Sequence, residues 1–63
     1  MKVRYTGKTT KQGEDGRLVH DKCYEVKSIE RNFKGEIAFY RLITFGNHSI
    51  VAFENEVEGV NDD

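Results

Sequence analysis

Glu36-Ile37-Ala38-Phe39-Tyr40-Arg41-Leu42-Ile43-Thr44, residues 36–44, decides the fold. β-Branched and aromatic residues dominate it, and these suit a pleated, half-buried surface. Successive side chains on a strand point to opposite faces. Ile37, Phe39 and Ile43 then line one face, and Ala38, Tyr40 and Leu42 the other. Apolar residues on both faces mark a central strand rather than an edge. On either side lie turn signals. Phe45-Gly46-Asn47-His48 reads as a hairpin turn into a short strand, Ser49 to Phe53. Arg31-Asn32-Phe33-Lys34-Gly35 reads as the turn before it, with Asn and Gly as the residues that tolerate positive φ.

Further out the pattern continues. Cys23 to Glu30 places Tyr24 and Val26 on one face, but Ile29 falls on the other parity. A bulge near Ser28 restores the register. Lys2 to Thr6 alternates, with Val3 and Tyr5 pointing one way. Val57 to Val60 is a last short strand, and Glu54-Asn55-Glu56 before it has the length of a single 3₁₀ turn. Gly7 to Gly16 is polar and glycine-rich, and is expected to be a long, mobile loop that buries nothing. Leu18 and Val19 can tack it back onto a core. Asp21-Lys22 is a further turn, and Asn61-Asp62-Asp63 a frayed acidic tail. One alternative competes: Val19, Cys23, Val26, Ile29 and Phe33 recur at helical spacing, and Asp21 could cap such a helix. The β-branched and aromatic content of the segment, and the abrupt end at Asn32 and Gly35, favour the strand.

Five strands with one long first loop give an all-β chain whose residues 1–60 form one domain. A meander this short closes most economically into a small barrel, because closure removes sheet edges. The long first loop and the short turn before the last strand are the layout of an SH3-like barrel. An OB-fold also has five strands, but usually longer ones.

Three stretches stand out: Met1-Lys2-Val3-Arg4-Tyr5-Thr6-Gly7, Lys22-Cys23-Tyr24-Glu25-Val26-Lys27-Ser28-Ile29-Glu30, and Tyr40-Arg41-Leu42-Ile43. Through them the chain resembles a group of short, uncharacterised proteins of Gram-positive bacteria and their phages, predicted or seen to be SH3-like barrels. The resemblance covers most of the chain, and the stretch from Tyr24 to Glu30 is its most specific part. There are two departures. Asp21 stands where the group usually has Gly, and Phe53-Glu54-Asn55 replaces an aromatic-Pro segment. The resemblance implies a fold and a phage or prophage origin; the group brings no known activity.

Size and charge limit the function. A chain of 63 residues buries only about 60% of its unfolded surface, which leaves little material for a deep substrate cleft. The net charge of −1 argues against a bulk electrostatic grip on nucleic acid. The charges are uneven: Lys2, Arg4, Lys8 and Lys11 precede any acid, and no base follows Ile50. The two ends either lie side by side and neutralise each other, which is the simpler reading, or face different partners. No apolar stretch has the length of a secretory signal or of a membrane span. The single cysteine, Cys23, fits a reducing compartment, so a cytoplasmic protein is expected.

Little in the sequence points to chemistry. His20, Cys23 and His48 are three candidate metal ligands where a structural zinc site wants four. Cys23 has no evident activating partner and is expected to be partly buried. Glu54, Glu56 and Glu58 read as a solvated strand edge. The glycines at 7, 13 and 16 lack the strand–loop–helix context of a phosphate loop. No enzyme, cofactor or metal is expected. The expectation is an interaction module that binds a host or phage protein, or a second copy of itself as a homodimer. Its binding residues are read as Phe33 and Phe45, turn aromatics suited to anchor an interface, rimmed by Arg31, Lys34 and His48. Both rings could instead close the ends of the barrel. The alternative is a nucleic-acid-binding barrel using Phe33, Phe39, Tyr40 and Phe45 with Arg31, Lys34 and Arg41.

Overall fold

All five strands read from the alternation form: β1 (Lys2–Tyr5), β4 (Cys23–Arg31), β5 (Ile37–Phe45), β6 (His48–Phe53) and β7 (Val57–Val60). The computed structural model describes residues 1–60, so the expected tail at 61–63 lies outside the described residues. The segment 21–33 is strand and turn, not helix. Its β-branched and aromatic side chains find a sheet to pack into, and that outweighs the helical spacing. Glu54–Glu56 is the single 3₁₀ turn that its length suggested.

The five strands make one antiparallel sheet in the order β6-β5-β4-β1-β7. β6 and β7, at the two ends of that order, do not pair with each other. The sheet is therefore open, where a closed barrel was expected. The 3₁₀ turn carries the chain between these two strands. Its Glu56 carbonyl accepts from the Thr6 amide at 2.7 Å, and so it docks on the first strand instead of letting the ends meet.

Two bulges set which side chains face inward. Between Val26 and Ser28 the register with β5 slips by one, which brings Ile29 opposite the buried Tyr40. This is the bulge that the parity of Ile29 demanded. A second slip, between Glu30 and Arg31, was not legible. It puts Ile37 against the core while Phe39 stays on the outer face, so Ile37, Phe39 and Ile43 do not share one face. The core consists of Val3, Tyr5, Leu18, Tyr24, Tyr40, Leu42 and Ala52, with Val26, Ile29, Ile37, Ile50 and Val57 packed around it.

The largest departure lies in the first loop. Residues 7–16 do not form a structureless excursion. β2 (Lys11–Gly13) and β3 (Gly16–Leu18) pair as a hairpin, and Leu18 is fully buried. Two core tyrosines fasten this segment. The Tyr5 hydroxyl donates to the Thr9 carbonyl at 2.6 Å, and the Tyr24 hydroxyl accepts from the Val19 amide at 2.7 Å. The His20 ring donates to the Gly7 carbonyl at 3.1 Å. At the tip, Gly16 has φ 104°, and a Cβ there would lie 2.7 Å from the Thr44 Cβ. A polar segment with no apolar pattern thus gains its order from hydroxyls on other strands. Burial pushes the Tyr5 phenol above its ordinary value, with the Glu56 charge acting the same way.

The basic start and the acidic end lie side by side. β1 pairs β7 with Arg4 opposite Glu58, and the guanidinium meets that carboxylate at 2.7 Å. This hydrogen bond, and then the Glu58 charge, hold the guanidinium proton more tightly than usual. Asp21 takes φ 72°, the left-handed conformation in which glycine is at ease.

Candidate functional site

The expected binding residues fall into two groups. Arg31, Phe33 and Lys34 belong to the β4–β5 turn. Phe45 and His48 flank the β5–β6 turn. Between the turns runs the whole of β5, nine residues long. At roughly 3.3 Å per residue the two aromatics are held on the order of 25 Å apart. They do not form one patch.

The first turn is built around Asn32. Its side-chain oxygen accepts from the amides of Lys34 at 2.9 Å and Glu36 at 3.0 Å. Its own amide donates to the Glu36 carbonyl at 2.9 Å. The Arg31 guanidinium closes the turn by donating to the Gly35 carbonyl at 3.0 Å, and Gly35 supplies the positive φ of 83°. An asparagine side chain used in this way mimics a backbone turn. The result is a pinned tip from which Phe33 projects, 95% exposed, with the Lys34 ammonium 6.0 Å from its ring centre.

The second turn is committed to the fold. The Phe45 and His48 rings stack with their centres 4.4 Å apart. The His48 ring nitrogen lies 2.8 Å from the Asp15 carboxylate at the tip of the β2–β3 hairpin. The Thr44 hydroxyl donates to the Asp15 carbonyl. These contacts hold the hairpin against the end of β5. Phe45 remains half exposed.

A third group joins Phe39 and Arg41, named in the nucleic-acid alternative, to Phe53 and Lys11, which the sequence did not single out. On the outer face of β5 and β6, Phe39 lies opposite Phe53. The Arg41 guanidinium sits 5.5 Å from the Phe39 ring centre, and the Lys11 ammonium 4.9 Å from that of Phe53. Both cations are also neutralised: Arg41 pairs Glu30 at 3.6 Å and Lys11 pairs Glu56 at 2.5 Å. Burial pushes the Glu56 carboxyl upward. The Lys11 hydrogen bond, the bond from the Phe53 amide and the Lys11 charge outweigh it, and the group stays below the usual carboxylate range. Glu56 is thus a paired, half-buried residue of the 3₁₀ turn and not part of a solvated strand edge. The signal for this group was the apolar character of both faces of 36–44, followed by a further aromatic at Phe53.

The nucleic-acid reading required four aromatics around one hairpin. Tyr40 is in the core, and Phe33 and Phe45 are at opposite ends of β5. Cys23 is exposed, where a partly buried thiol was expected, because its parity opposes that of the buried Tyr24. Among the described residues there is no cavity, and no three His, Cys, Asp or Glu side chains are grouped as metal ligands. No helix among the described residues is long and apolar enough to cross a membrane. Comparison with protein-family models, curated proteins and solved structures finds no match. Fold and surface together define a compact all-β domain with an open antiparallel sheet and one pinned, exposed aromatic tip.

Proposed function

We propose that this domain is a non-enzymatic interaction module on an SH3-like barrel layout, and that it docks a protein partner through Phe33. The layout is supported by the strand order, by the hairpin between the first and second strands of the sheet, and by the 3₁₀ turn before the last. The docking role is carried by one observation: a phenylalanine 95% exposed on a turn pinned by Asn32 and Arg31. Leaving such a ring in water forgoes roughly 2 kcal/mol of burial. A pinned backbone loses little further freedom on docking. Arg31 and Lys34 supply the polar rim and suit a partner with carboxylates around an apolar pocket. Phe45 and His48 lie outside this footprint. The resemblance of the sequence extends the proposal to a bacterial or phage origin, and the single Cys23 suits a reducing, cytoplasmic setting.

The test is capture from a bacterial host lysate, with and without nuclease, using wild type, Phe33→Ala and Phe45→Ala. The expected partner is a protein that survives nuclease, depends weakly on salt, and is lost on Phe33→Ala but kept on Phe45→Ala. Capture that is indifferent to Phe33→Ala, with the far-UV spectrum unchanged, sinks the proposal. Capture abolished by nuclease transfers it to a nucleic acid.

A further inference from the structure

We propose that the outer face of β4, β5 and β6 is a second interaction surface, and that its occupant is a second copy of this chain related by a two-fold axis. Residues directly opposite on antiparallel strands share a face. Phe39 faces Phe53, Arg41 faces Val51, and Ile43 faces Ser49. The four apolar members, Phe39, Ile43, Val51 and Phe53, are not among the residues that form the core or pack on it. Phe53 is 53% exposed. Among the described residues seven apolar side chains are buried in the core; on the outer face Phe39, Ile43 and Val51 are half-buried and Phe53 is exposed, so this face carries apolar surface that the core does not use.

The charges on this face identify the occupant. Arg41 contacts Glu30 through its Nε at 3.6 Å. Its two terminal nitrogens make no hydrogen bond among the described residues. Glu30 uses Oε2 for both Arg41 and the Ser28 hydroxyl, which leaves Oε1 without a partner among the described residues. Both side chains are nearly half exposed, at 45% and 41%. Each copy therefore offers a free donor edge and a free acceptor beside the same apolar strip. A two-fold axis sets Arg41 of one copy against Glu30 of the other, and the reverse, as an isologous interface requires. A polyanion would instead meet Glu30 and Glu56 on this face. Strand addition along β6 is opposed by Lys11, whose ammonium occupies the Val51 carbonyl at 3.1 Å. Association therefore runs face to face. A face three strands wide is small against the roughly 800 Å² per partner of a standard interface, so the dimer is weak and concentration-dependent.

Sedimentation or light-scattering mass, followed from micromolar to millimolar concentration, tests this. Wild type is expected to pass from monomer to dimer. Phe53→Ser should weaken the dimer by at least about tenfold, the loss expected of an aromatic anchor. Arg41→Glu alone and Glu30→Arg alone should each be monomeric, and an equimolar mixture of the two should dimerise again. A damaged fold cannot be rescued by mixing, so this arm decides the matter even if Phe53→Ser fails to fold. Phe33→Ala should leave the dimer intact, which separates this surface from the tip. A wild type that stays monomeric at millimolar concentration overturns the proposal. So does a mixture that stays monomeric, or a dimer lost on Phe33→Ala.

Discussion

The Lys11 ammonium lies 2.5 Å from a carboxylate oxygen of Glu56, a residue 45 positions away. The same oxygen accepts the Phe53 amide at 2.9 Å, and the same ammonium donates to the Val51 carbonyl. One ion pair thus joins the first hairpin, the outer strand and the 3₁₀ turn. Both side chains are about three-quarters buried, so solvent screens them less than a surface pair.

Glu56→Gln should cost about 2 kcal/mol, the scale of a hydrogen bond to a charged group. The sign with pH follows from the depressed carboxyl. Its stabilisation is present above the unfolded value of 4.5 and is lost as pH falls through the lower folded value. Denaturant midpoints at neutral and acid pH should therefore converge for wild type and Glu56→Gln as the pH is lowered. A difference that is unchanged in acid would mean that the charge on Glu56 does not act.

Asp21 sits at φ 72°, with its carboxylate, 71% exposed, 3.7 Å from the Nε of Arg4, whose side chain is 40% exposed. The backbone strain of a non-glycine residue there outweighs what an exposed ion pair contributes. Asp21→Gly should be neutral or stabilising by up to about 1 kcal/mol. Asp21→Val, β-branched and ill-suited to positive φ, should destabilise by more than that. Thermal unfolding of both variants decides it, and a clear loss of stability in Asp21→Gly would show that the carboxylate matters more than the backbone.

Leu18 is fully buried although it ends a polar segment. Leu18→Ala should cost roughly 2–5 kcal/mol, a large share of the stability of so small a domain. Far-UV circular dichroism with a denaturation curve measures this directly. A loss below about 1 kcal/mol would detach the hairpin from the core.

The exposed Phe33 was open to inference from its place in an Asn-Phe-Lys-Gly turn, because a turn tip has nothing above it to pack on. Its separation from Phe45 follows from counting residues along β5 once that strand is known to run unbroken to Phe45. Phe39 and Phe53 were harder to place. Strict alternation gives Phe39 the face of Ile37, which packs on the core; the bulge between Glu30 and Arg31 parts the two and leaves Phe39 outside, opposite Phe53.

The amino-acid sequence by itself determined the local order of this protein. Alternation marks all five strands of the sheet. Gly35 and Gly46 mark turns where φ is positive, and Ile29 on the wrong parity marks the first bulge. These features arise within a few residues of chain, where sterics and period-two burial act. Only the tertiary structure decided the rest: the hairpin at 11–18, the open ends of the sheet, the burial of Glu56 against Lys11, and the outward turn of Phe39. Each depends on hydrogen bonds or pairings between distant segments. Tyr5 and Tyr24 order a loop that carries no pattern of its own, and a polar segment gives no sign in sequence of which distant hydroxyl will hold it.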